Sequence, residues 1–428
     1  MIDQDRIDTL NKQHADELAH DVEELAGRLD RAGGVNAESV IESLAGFSAA
    51  APSWAVGTGG TRFGRFPLGG EPRTTEEKID DVAALNALTQ TNPAISLHVP
   101  WDDPTDPAAL REYAAGRGIA FDAMNSNTFQ DNPSTTDDGG ISYKFGSLAN
   151  SDPQVREIAV EHNKYVIDLG VALGSSALTV WLADGTNHPG QANHRVQFER
   201  VADGLREIHD HLPEGWQMYT EHKPYEPAFY STVNQDWGSS LLLAQHAGPK
   251  ASCLVDLGHH LANANIEQIV SRLAMVGRLG GFHFNDSKYG DDDLTTGSIK
   301  PFQLFLIFCE LIDAGSGRLP DLAYMIDQSH NLKDPLEDLI QSTEAISVAY
   351  AQALLVDRPA LGEAQASNDA AQAQAILQNA FRTDVRPLIA EARHREGGAI
   401  DPLGAYREID YRRAMIDLRG AESVSTGL

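Results

Sequence analysis

The chain has 428 residues, 42% hydrophobic and 22% charged, which is the composition of a soluble globular protein. Its 62 acidic and 33 basic residues give a formal charge of -29, so most of its surface should repel phosphate backbones and anionic lipids. No apolar run approaches the ~18 residues that a membrane span needs, and the polar N-terminus has no export signal. We therefore expect a cytoplasmic protein that binds neither nucleic acid nor membranes.

The two cysteines, Cys253 and Cys309, both lie in apolar stretches of the sequence. They are therefore predicted to be small buried hydrophobic residues rather than a disulfide or a zinc knuckle. This cysteine usage agrees with a reducing compartment.

The first segment, residues 1–48, alternates charged and aliphatic positions at helical spacing. The pair Gly33 and Gly34 interrupts this pattern, and glycine pairs disfavour helix continuation. The spacing therefore predicts an N-terminal helical segment of two helices.

From residue 49 to residue 357, short apolar runs of strand length alternate with longer amphipathic stretches of helical spacing. The eight runs are residues 53–58, 94–101, 119–126, 177–185, 216–222, 251–260, 280–286 and 322–330. Strand and helix alternating eight times predicts an α/β fold, a (β/α)₈ TIM barrel, whose catalytic groups lie at the C-terminal ends of the strands.

Three further segments complete the pass along the chain. Residues 131–152 are rich in Gly, Ser and Asp, and we expect a loop over the barrel mouth. The run at 57–66 lacks the Lys-Ser/Thr ending of a phosphate loop, so nucleotide binding is not expected. Residues 358–428 are predicted to form a C-terminal helical extension that packs on a neighbouring subunit.

Polar and aromatic side chains stand at or just after the ends of the eight runs. They are Trp54, His98, Asn125, Phe129, Trp181, Glu221, Lys223, Asp256, His259, His283, Asp327 and His330. Strand ends are polar in any barrel, because the chain is leaving the core for a loop. That reason does not account for so many histidines and carboxylates with so few Ser, Thr or Lys, so the residue types favour a functional site.

Carboxylates and imidazoles are ligands for a hard or borderline divalent ion, whereas structural zinc usually recruits thiolates. One predicted set comes from four successive strand ends and comprises Glu221, Asp256, His283 and Asp327. A second comprises Asp256, His259, Asp291 and Asp293, with Asp256 bridging the two ions.

The run Asp291, Asp292 and Asp293 has a simpler explanation, since runs of like charge are usually solvated loops. In an extended loop, alternate side chains face the same side, so Asp291 and Asp293 would point together and Asp292 away into solvent. Two of the three aspartates are therefore predicted to be ligands.

Several long motifs resemble the L-rhamnose isomerases of the bacterial type related to xylose isomerase, a family of broad aldose and ketose specificity. The resemblance extends from about residue 50 to the end of the chain. The motifs are PSWAVGTGGTRF, SLHVPWD, FDAMNSNTF, LTVWLADG, TEHKPYEPAFYSTVNQDWG, CLVDLGHH, GFHFNDSKYGDDDL and MIDQSHN.

The resemblance implies a (β/α)₈ barrel, usually a homotetramer, with two Mn²⁺-type ions per subunit, Co²⁺ and Mg²⁺ being alternatives. It makes the set of Glu221, Asp256, His283 and Asp327 the ligands of a structural ion. The set of Asp256, His259, Asp291 and Asp293 becomes that of a catalytic ion.

The resemblance also assigns the sugar contacts. Lys223 would hydrogen-bond the sugar oxygen at the reacting end, and His98 would contact the sugar and assist ring opening. Glu221 would contact the sugar as well as the ion. Trp54, Phe129 and Trp181 would offer flat apolar faces to the C–H side of a sugar. Taken one by one, these residues have ordinary alternatives: a structural histidine, a surface lysine and core aromatics.

The implied activity is metal-dependent aldose–ketose isomerisation of L-rhamnose and L-rhamnulose, and also of D-allose and D-psicose. Hydride would move from C2 to C1; the alternative is an ene-diol route in which Asp327 or Glu221 moves a proton. Two other functions stay open. A sugar epimerase on the same barrel needs only the first ligand set, and a non-catalytic sugar-binding protein would bind an aldose without converting it.

Overall fold

The computed structural model describes residues 2–32, 35–57, 66, 68–131, 141–188, 190–226, 231–328 and 332–422. The strands in these residues are β1 Ala51–Pro52, β2 Ala94–Ser96, β3 His98–Val99, β4 Ala120–Phe121, β5 Met124–Ser126, β6 Ala177–Trp181, β7 Gly185–Thr186, β8 Gln217–Glu221, β9 Ser231–Thr232, β10 Ala251–Asp256, β11 Leu279–Phe284 and β12 Ala323–Ile326. The helices are α1 Gln4–Asn11, α2 Ala15–Ala32, α3 Ala37–Ala45, α4 Thr75–Thr89, α5 Pro107–Ala115, α6 Pro153–Leu173, α7 His194–His211, α8 Trp237–Ala247, α9 Ile266–Met275, α10 Pro301–Ala314, α11 Pro335–Leu354, α12 Arg358–Ala366, α13 Ala370–Phe381, α14 Arg386–Arg395, α15 Pro402–Ile409 and α16 Tyr411–Arg419.

The parallel strands form a closed barrel. One sheet has the order β12, β11, β10, β8, β6, β5, β3, and a second has the order β1, β2, β4. The second and third barrel strands are each split, into β2 with β3 and β4 with β5. The N–H of Ala50 donates to the carbonyl of Tyr324 (2.8 Å), and Ile326 donates to Ala50 (2.9 Å), which joins the last strand to the first. The predicted (β/α)₈ barrel is confirmed.

Helices cover the outside of the barrel, and local signals fix where they begin. The hydroxyl of Thr74 accepts from the N–H of Glu77 (3.2 Å) at the start of α4, and Asp152 caps α6 in the same way. Such caps satisfy N–H groups that have no partner within the helix. Between strand and helix, the rings of Phe284 and Phe308 are fully buried with centroids 5.8 Å apart. This layer of core lies beneath the strand ends that hold the site.

The first strand differs from the sequence prediction. The first strand is Ala51–Pro52 rather than residues 53–58, and Ser53–Ala55 forms a 3₁₀ turn. The Ser53 hydroxyl donates to Asp102 (2.5 Å), a tertiary contact that the apolar pattern cannot show.

The N-terminal segment has three helices in its described part, because the chain also breaks after Asn11. The Asn11 side chain donates to the carbonyl of Gly398 (2.9 Å) and accepts from the N–H of Ile400 (2.9 Å). Contacts with the far end of the chain therefore determine where the first helix ends. The predicted break at Gly33 and Gly34 lies outside the described residues.

The described part of the C-terminal extension packs on its own chain. In α16, Tyr411 donates to Asp81 of α4 (2.7 Å), and Arg419 pairs with the same carboxylate (2.9 Å). The predicted subunit contact of this extension, and the boundaries 1–48, 49–357 and 358–428, stay predictions. Most of 57–66, residues 132–140 of the predicted mouth loop, and His330 lie outside the described residues.

Among the described helices, none by itself is long and apolar enough to cross a membrane. By length and composition alone, α11 and α12 pass that test as a pair bent by 66°.

Candidate metal centre

Four barrel strands bring the first predicted ligand set to one place. Glu221 ends β8, Asp256 ends β10, His283 lies near the end of β11, and Asp327 directly follows β12. Asp256 of β10 lies opposite His283 of β11 in the sheet. On the other side of β10, Leu254 lies opposite Glu221 of β8. Since parallel strands end at the same face of a barrel, these side chains converge at its mouth.

The convergence is close enough for a shared ion. One ligand atom from each of Glu221, Asp256, His283 and Asp327 lies within 4.8 Å of all the others. His283 Nδ1 is 3.2 Å from Glu221 Oε1, 3.2 Å from Asp327 Oδ2 and 3.8 Å from Asp256 Oδ2. We call these four residues group 1.

Three residues form a second group beside it: Asp256, His259 and Asp291, here called group 2. His259 Nε2 lies 3.3 Å from Asp291 Oδ2, while its Nδ1 lies 3.1 Å from Glu221 Oε1. Lys223 Nζ forms a short ion pair with Asp291 Oδ2, and both side chains are almost fully buried. Asp256 belongs to both groups, and its role as a ligand that bridges two ions stays a prediction.

The aspartate loop is closed at its base by two hydrogen bonds of 2.9 Å between the backbones of Asp286 and Leu294. Asp292 Oδ2 accepts from the N–H groups of Lys288 (2.6 Å) and Tyr289 (2.8 Å). Its carboxylate thus accepts hydrogen bonds from its own loop while remaining half-exposed.

Asp293 adopts a left-handed conformation with φ of 47°. Among the described residues, the atoms close enough to share an ion include those of Asp291 but not those of Asp293. The role of Asp293 as a ligand therefore stays a prediction.

Burial and mutual proximity shift the pKa values of the cluster strongly. Burial alone would raise the pKa of Glu221, but His283 and His259 outweigh it and hold that pKa well below its usual range. Burial alone would lower the pKa of both imidazoles, but the carboxylates around them raise both values well above the ordinary one. Burial raises the pKa of Asp256 to about 7. The cluster therefore attracts positive charge, whether protons or a cation.

The donor set fits a divalent ion of the Mn²⁺ or Mg²⁺ class. Both groups contain only carboxylate and imidazole donors, which such ions accept. Cys253 and Cys309, both described, belong to neither group, which disfavours a thiolate site.

Aromatic rings line one side of the mouth. Trp54 Nε1 donates to Asp327 Oδ1 (2.8 Å), and its ring centroid lies 5.6 Å from that of His98. His98 stacks on Phe129 at 5.4 Å, and Phe129 lies 4.5 Å from Trp181. The predicted pocket residues thus form one continuous wall that reaches from group 1 to Lys223, whose Nζ lies 5.1 Å from the Trp181 ring.

The sequence pattern that defines the xylose isomerase-like TIM barrel family matches residues 85–328. The chain belongs to this family.

Two curated relatives are similar over nearly their whole lengths. A probable sugar isomerase of Rhizobium meliloti is 52% identical over 414 residues, covering 96% of this chain and 95% of the relative. A probable sugar isomerase of Mesorhizobium japonicum is 52% identical over 419 residues, covering 97% and 96%.

Among solved structures, an L-ribulose 3-epimerase matches with a TM-score of 0.54 at 15% identity, covering 76% of this chain and 98% of that one. At this identity the likeness shows the fold alone.

Sequence reasoning missed three polar or aromatic side chains at this barrel mouth. Trp101 stacks on His98 with centroids 4.9 Å apart, and Asp102 accepts from the His98 N–H (2.9 Å) and from Lys78 (2.6 Å). The third, Asn285, contacts Asp256. Each lies within four residues of a predicted site residue, so adjacency to a strand end was the available signal.

Proposed function

We propose that this chain is a metal-dependent aldose–ketose isomerase whose active site is the barrel mouth. The observation that carries the proposal is that groups 1 and 2 adjoin and share Asp256, with Lys223 on the Asp291 carboxylate. A one-ion site needs only group 1 and would not explain why His259 and Asp291 lie beside the shared Asp256. The two relatives named probable sugar isomerases, 52% identical over nearly the whole chain, support an isomerase.

Two divalent ions per subunit, Mn²⁺ with Co²⁺ or Mg²⁺ as alternatives, would be held by the two groups, with Asp293 completing the second. When bound, such ions supply Lewis-acid polarisation of a sugar carbonyl and hydroxyl. The remaining chemistry is that of the chain's own residues.

Lys223 and His98 act on the sugar oxygens. The Lys223 ammonium is held in place by Asp291, so it can donate a hydrogen bond to an oxygen at the reacting end and stabilise charge there. Burial lowers the pKa of His98 to about 4, so its imidazole is neutral at neutral pH. His98 Nδ1 has no partner among the described residues, which leaves it able to accept a hydrogen bond from a ring hydroxyl during opening.

The aromatic wall orients the sugar. Trp54, Phe129 and Trp181 present flat apolar surfaces that suit the C–H face of an open-chain sugar. The sugar hydroxyls would then face group 1 and group 2. This orientation brings C1 and C2 towards Lys223.

In the reaction, the hydrogen on C2 moves with its electron pair to C1, while O2 loses a proton and O1 gains one. An ene-diol route would instead need a carboxylate free to take the C2 proton. The two candidates are both engaged: Asp327 accepts from Trp54, and Glu221 lies 3.1 and 3.2 Å from two imidazoles. The geometry therefore favours direct transfer.

An aldose deuterated at C2 tests this path. Direct transfer should leave the deuterium on C1 of the ketose formed in ordinary water, as read by nuclear magnetic resonance. Nearly complete loss to solvent would instead assign the reaction to the ene-diol route and make Asp327 or Glu221 the base.

We propose L-rhamnose and L-rhamnulose as the main pair, with D-allose and D-psicose as a second, on the resemblance of the site motifs. The decisive assay starts from protein freed of metal by a chelator. Each of L-rhamnose, D-allose and L-mannose is then tested as substrate with each of Mn²⁺, Co²⁺ and Mg²⁺. Ketose from L-rhamnose is expected. A C3 epimer formed with one ion bound would establish an epimerase instead, and sugar binding without any product would establish a binding protein.

We also propose a homotetramer in the cytoplasm that binds neither nucleic acid nor membranes. The resemblance supports the tetramer, and the formal charge of -29 supports the absence of nucleic acid. Light scattering after gel filtration would test the assembly, since a monomer mass would contradict it.

A further inference from the structure

The side chain of Asn285 stands behind the residue that both ligand groups share. Asn285 directly follows β11, two residues after His283, and is almost fully buried. Its Nδ2 donates to Asp256 Oδ1 (3.0 Å) and Oδ2 (3.1 Å), and also to the backbone carbonyl of Asp327 (3.0 Å). All three partners are acceptors, so the orientation of the amide is fixed by its surroundings.

The two oxygens of Asp256 have different environments. Oδ1 also accepts from the N–H groups of Gly258 (2.7 Å) and His259 (3.1 Å), which brings its donors to three. Among the described residues, Oδ2 accepts only the Asn285 bond, and it faces His283 Nδ1 at 3.8 Å. Because the Asn285 amide bonds to both oxygens, it fixes the rotation of the carboxylate and keeps Oδ2 turned towards group 1.

Gly258 makes room for this arrangement. A Cβ at that position would lie 3.1 Å from Asn285 Oδ1 and 3.3 Å from Asn285 Nδ2, a tight contact. Asn285 Oδ1 itself is buried without a partner among the described residues. A buried amide that leaves its oxygen unsatisfied carries a cost, which its three N–H contacts on Asp256 and Asp327 offset.

We propose that Asn285 is the positioning residue that sets Asp256 as the ligand common to both metal ions. The proposal rests on the proposed function, since it needs two ions in groups 1 and 2. It goes further in one respect: a residue that need not touch either ion controls the binding of both. Loss of Asn285 should therefore weaken the binding of both ions rather than that of one.

The test is a Mn²⁺ titration of the full-length protein after a chelator has removed its metal, read by electron paramagnetic resonance. Free Mn²⁺ gives the affinity and number of bound ions, and a spin-coupled signal reports a bridged pair. In Asn285→Leu, both ions are expected to bind about 10- to 100-fold more weakly, the range typical for partners of metal ligands. The spin-coupled signal should disappear. Asn285→Ser, which is smaller and keeps one donor, should show the same effects at reduced size.

Asn92→Leu is the matched control. Asn92 is also a buried amide, donating to the carbonyl of Ala49 (2.9 Å) and accepting from Thr89 and Thr343, but it lies before β2, at the opposite end of the barrel. It should lose thermal stability as Asn285→Leu does, yet bind Mn²⁺ like the wild type. A purely structural role for Asn285 predicts that the two variants behave alike.

The outcomes separate the two proposals. If the wild type binds two coupled Mn²⁺ ions and both Asn285 variants bind them with unchanged affinity and coupling, the positioning role is overturned. Loss of only one ion in those variants would also overturn it. If the wild type itself fails to bind two ions, the proposed function fails, and the positioning role with it.

Discussion

Two buried charged regions of this barrel differ in how their charges are balanced. Around α4, Asp102 pairs with Lys78 at 2.6 Å and Asp81 pairs with Arg419 at 2.9 Å, all four side chains being nearly inaccessible. Each of these carboxylates has a permanent cation of the chain beside it. At the mouth, the described carboxylates of groups 1 and 2 share one lysine, Lys223, and two imidazoles.

The difference separates a structural role from a functional one. Burying an unpaired charge is costly, so a region that is neutral by itself can serve as a fixed support. The mouth has carboxylates in excess of fixed cations, and it stays balanced only by taking up protons or metal ions. We expect the two regions to respond in opposite ways to metal removal and to mutation.

Removing metal should have the largest effect. Exhaustive chelation is expected to abolish aldose-to-ketose conversion, and added Mn²⁺ or Co²⁺ should restore it, because the described mouth offers no other strong electrophile. The ion pairs around α4 should be indifferent to chelation, so the far-ultraviolet circular dichroism should not change. Full activity after chelation would remove the metal from the proposal.

Replacing one aspartate of the loop should be nearly as damaging. Asp291→Asn is expected to lower turnover at least about 100-fold, because it removes a group 2 donor and the partner of Lys223. The neighbouring Asp292→Asn is the control, since Asp292 bonds only to its own loop within the described part of the chain.

Asp293→Asn then decides an open point. A loss equal to that of Asp291→Asn would make Asp293 a ligand as the sequence predicts, and wild-type turnover would exclude it. If Asp292→Asn were the more damaging change, the assignment of group 2 would be wrong.

Around α4, Arg419→Met should reduce stability and leave metal binding unchanged. Removing one partner of a buried pair costs about 3 kcal/mol of unfolding free energy. Burial raises the pKa of Asp81 to about 6, so this carboxyl can take up a proton in the variant, which keeps the loss at the low end. Urea unfolding measures it, and the exposed Arg413→Met should change stability by less than about 0.5 kcal/mol. Weakened Mn²⁺ binding in Arg419→Met would break the contrast between the regions.

Trp54→Phe should sharpen the contrast at the mouth. The change keeps an aromatic ring but removes the N–H that donates to Asp327 Oδ1 (2.8 Å). Loss of a hydrogen bond to a ligand should lower the affinity of group 1 for Mn²⁺ about 10-fold and leave the affinity of group 2 unchanged. Equal weakening of both ions would instead mean that the ring orders the whole mouth.

The pH dependence should show the smallest effect, a shift of a few degrees in melting temperature. In the metal-free protein, the pKa values of His259 and His283 are raised well above the unfolded value of about 6.5. The protonated histidines therefore stabilise the folded protein fully below about pH 6.5, and this stabilisation is lost as the pH rises through their raised pKa values.

Metal binding requires the neutral imidazoles, so it has the opposite dependence. Scanning calorimetry should find that the melting temperature gained on adding Mn²⁺ grows from about pH 6.5 to about pH 8. A gain that is the same at both pH values would mean that these histidines carry no protons in the metal-free protein.

The sequence by itself determined the barrel and most of the candidate site. Periodicity in the chain encodes which faces are buried, so eight apolar runs were enough to predict the eight strands. Because parallel strands end at one face, the residue types at the strand ends predicted that Glu221, Asp256, His283 and Asp327 would meet, and the structure brings them together. The start of the first strand and the break after Asn11 were missed, because contacts with Asp102 and with residues 398–400 decide them.

Only the tertiary structure decided how these charges share partners. Asp292 turns onto Lys288 and Tyr289 within its loop, and Asn285 joins Asp256 to the end of the last strand. The Asn285 pairings join groups far apart in sequence at distances of about 3 Å, which closure of the barrel sets and local patterns do not carry. For the same reason, the sequence places Lys78, Asp81, Lys223 and Asp291 on the chain without showing which carboxylate has a fixed cation and which must find a mobile one.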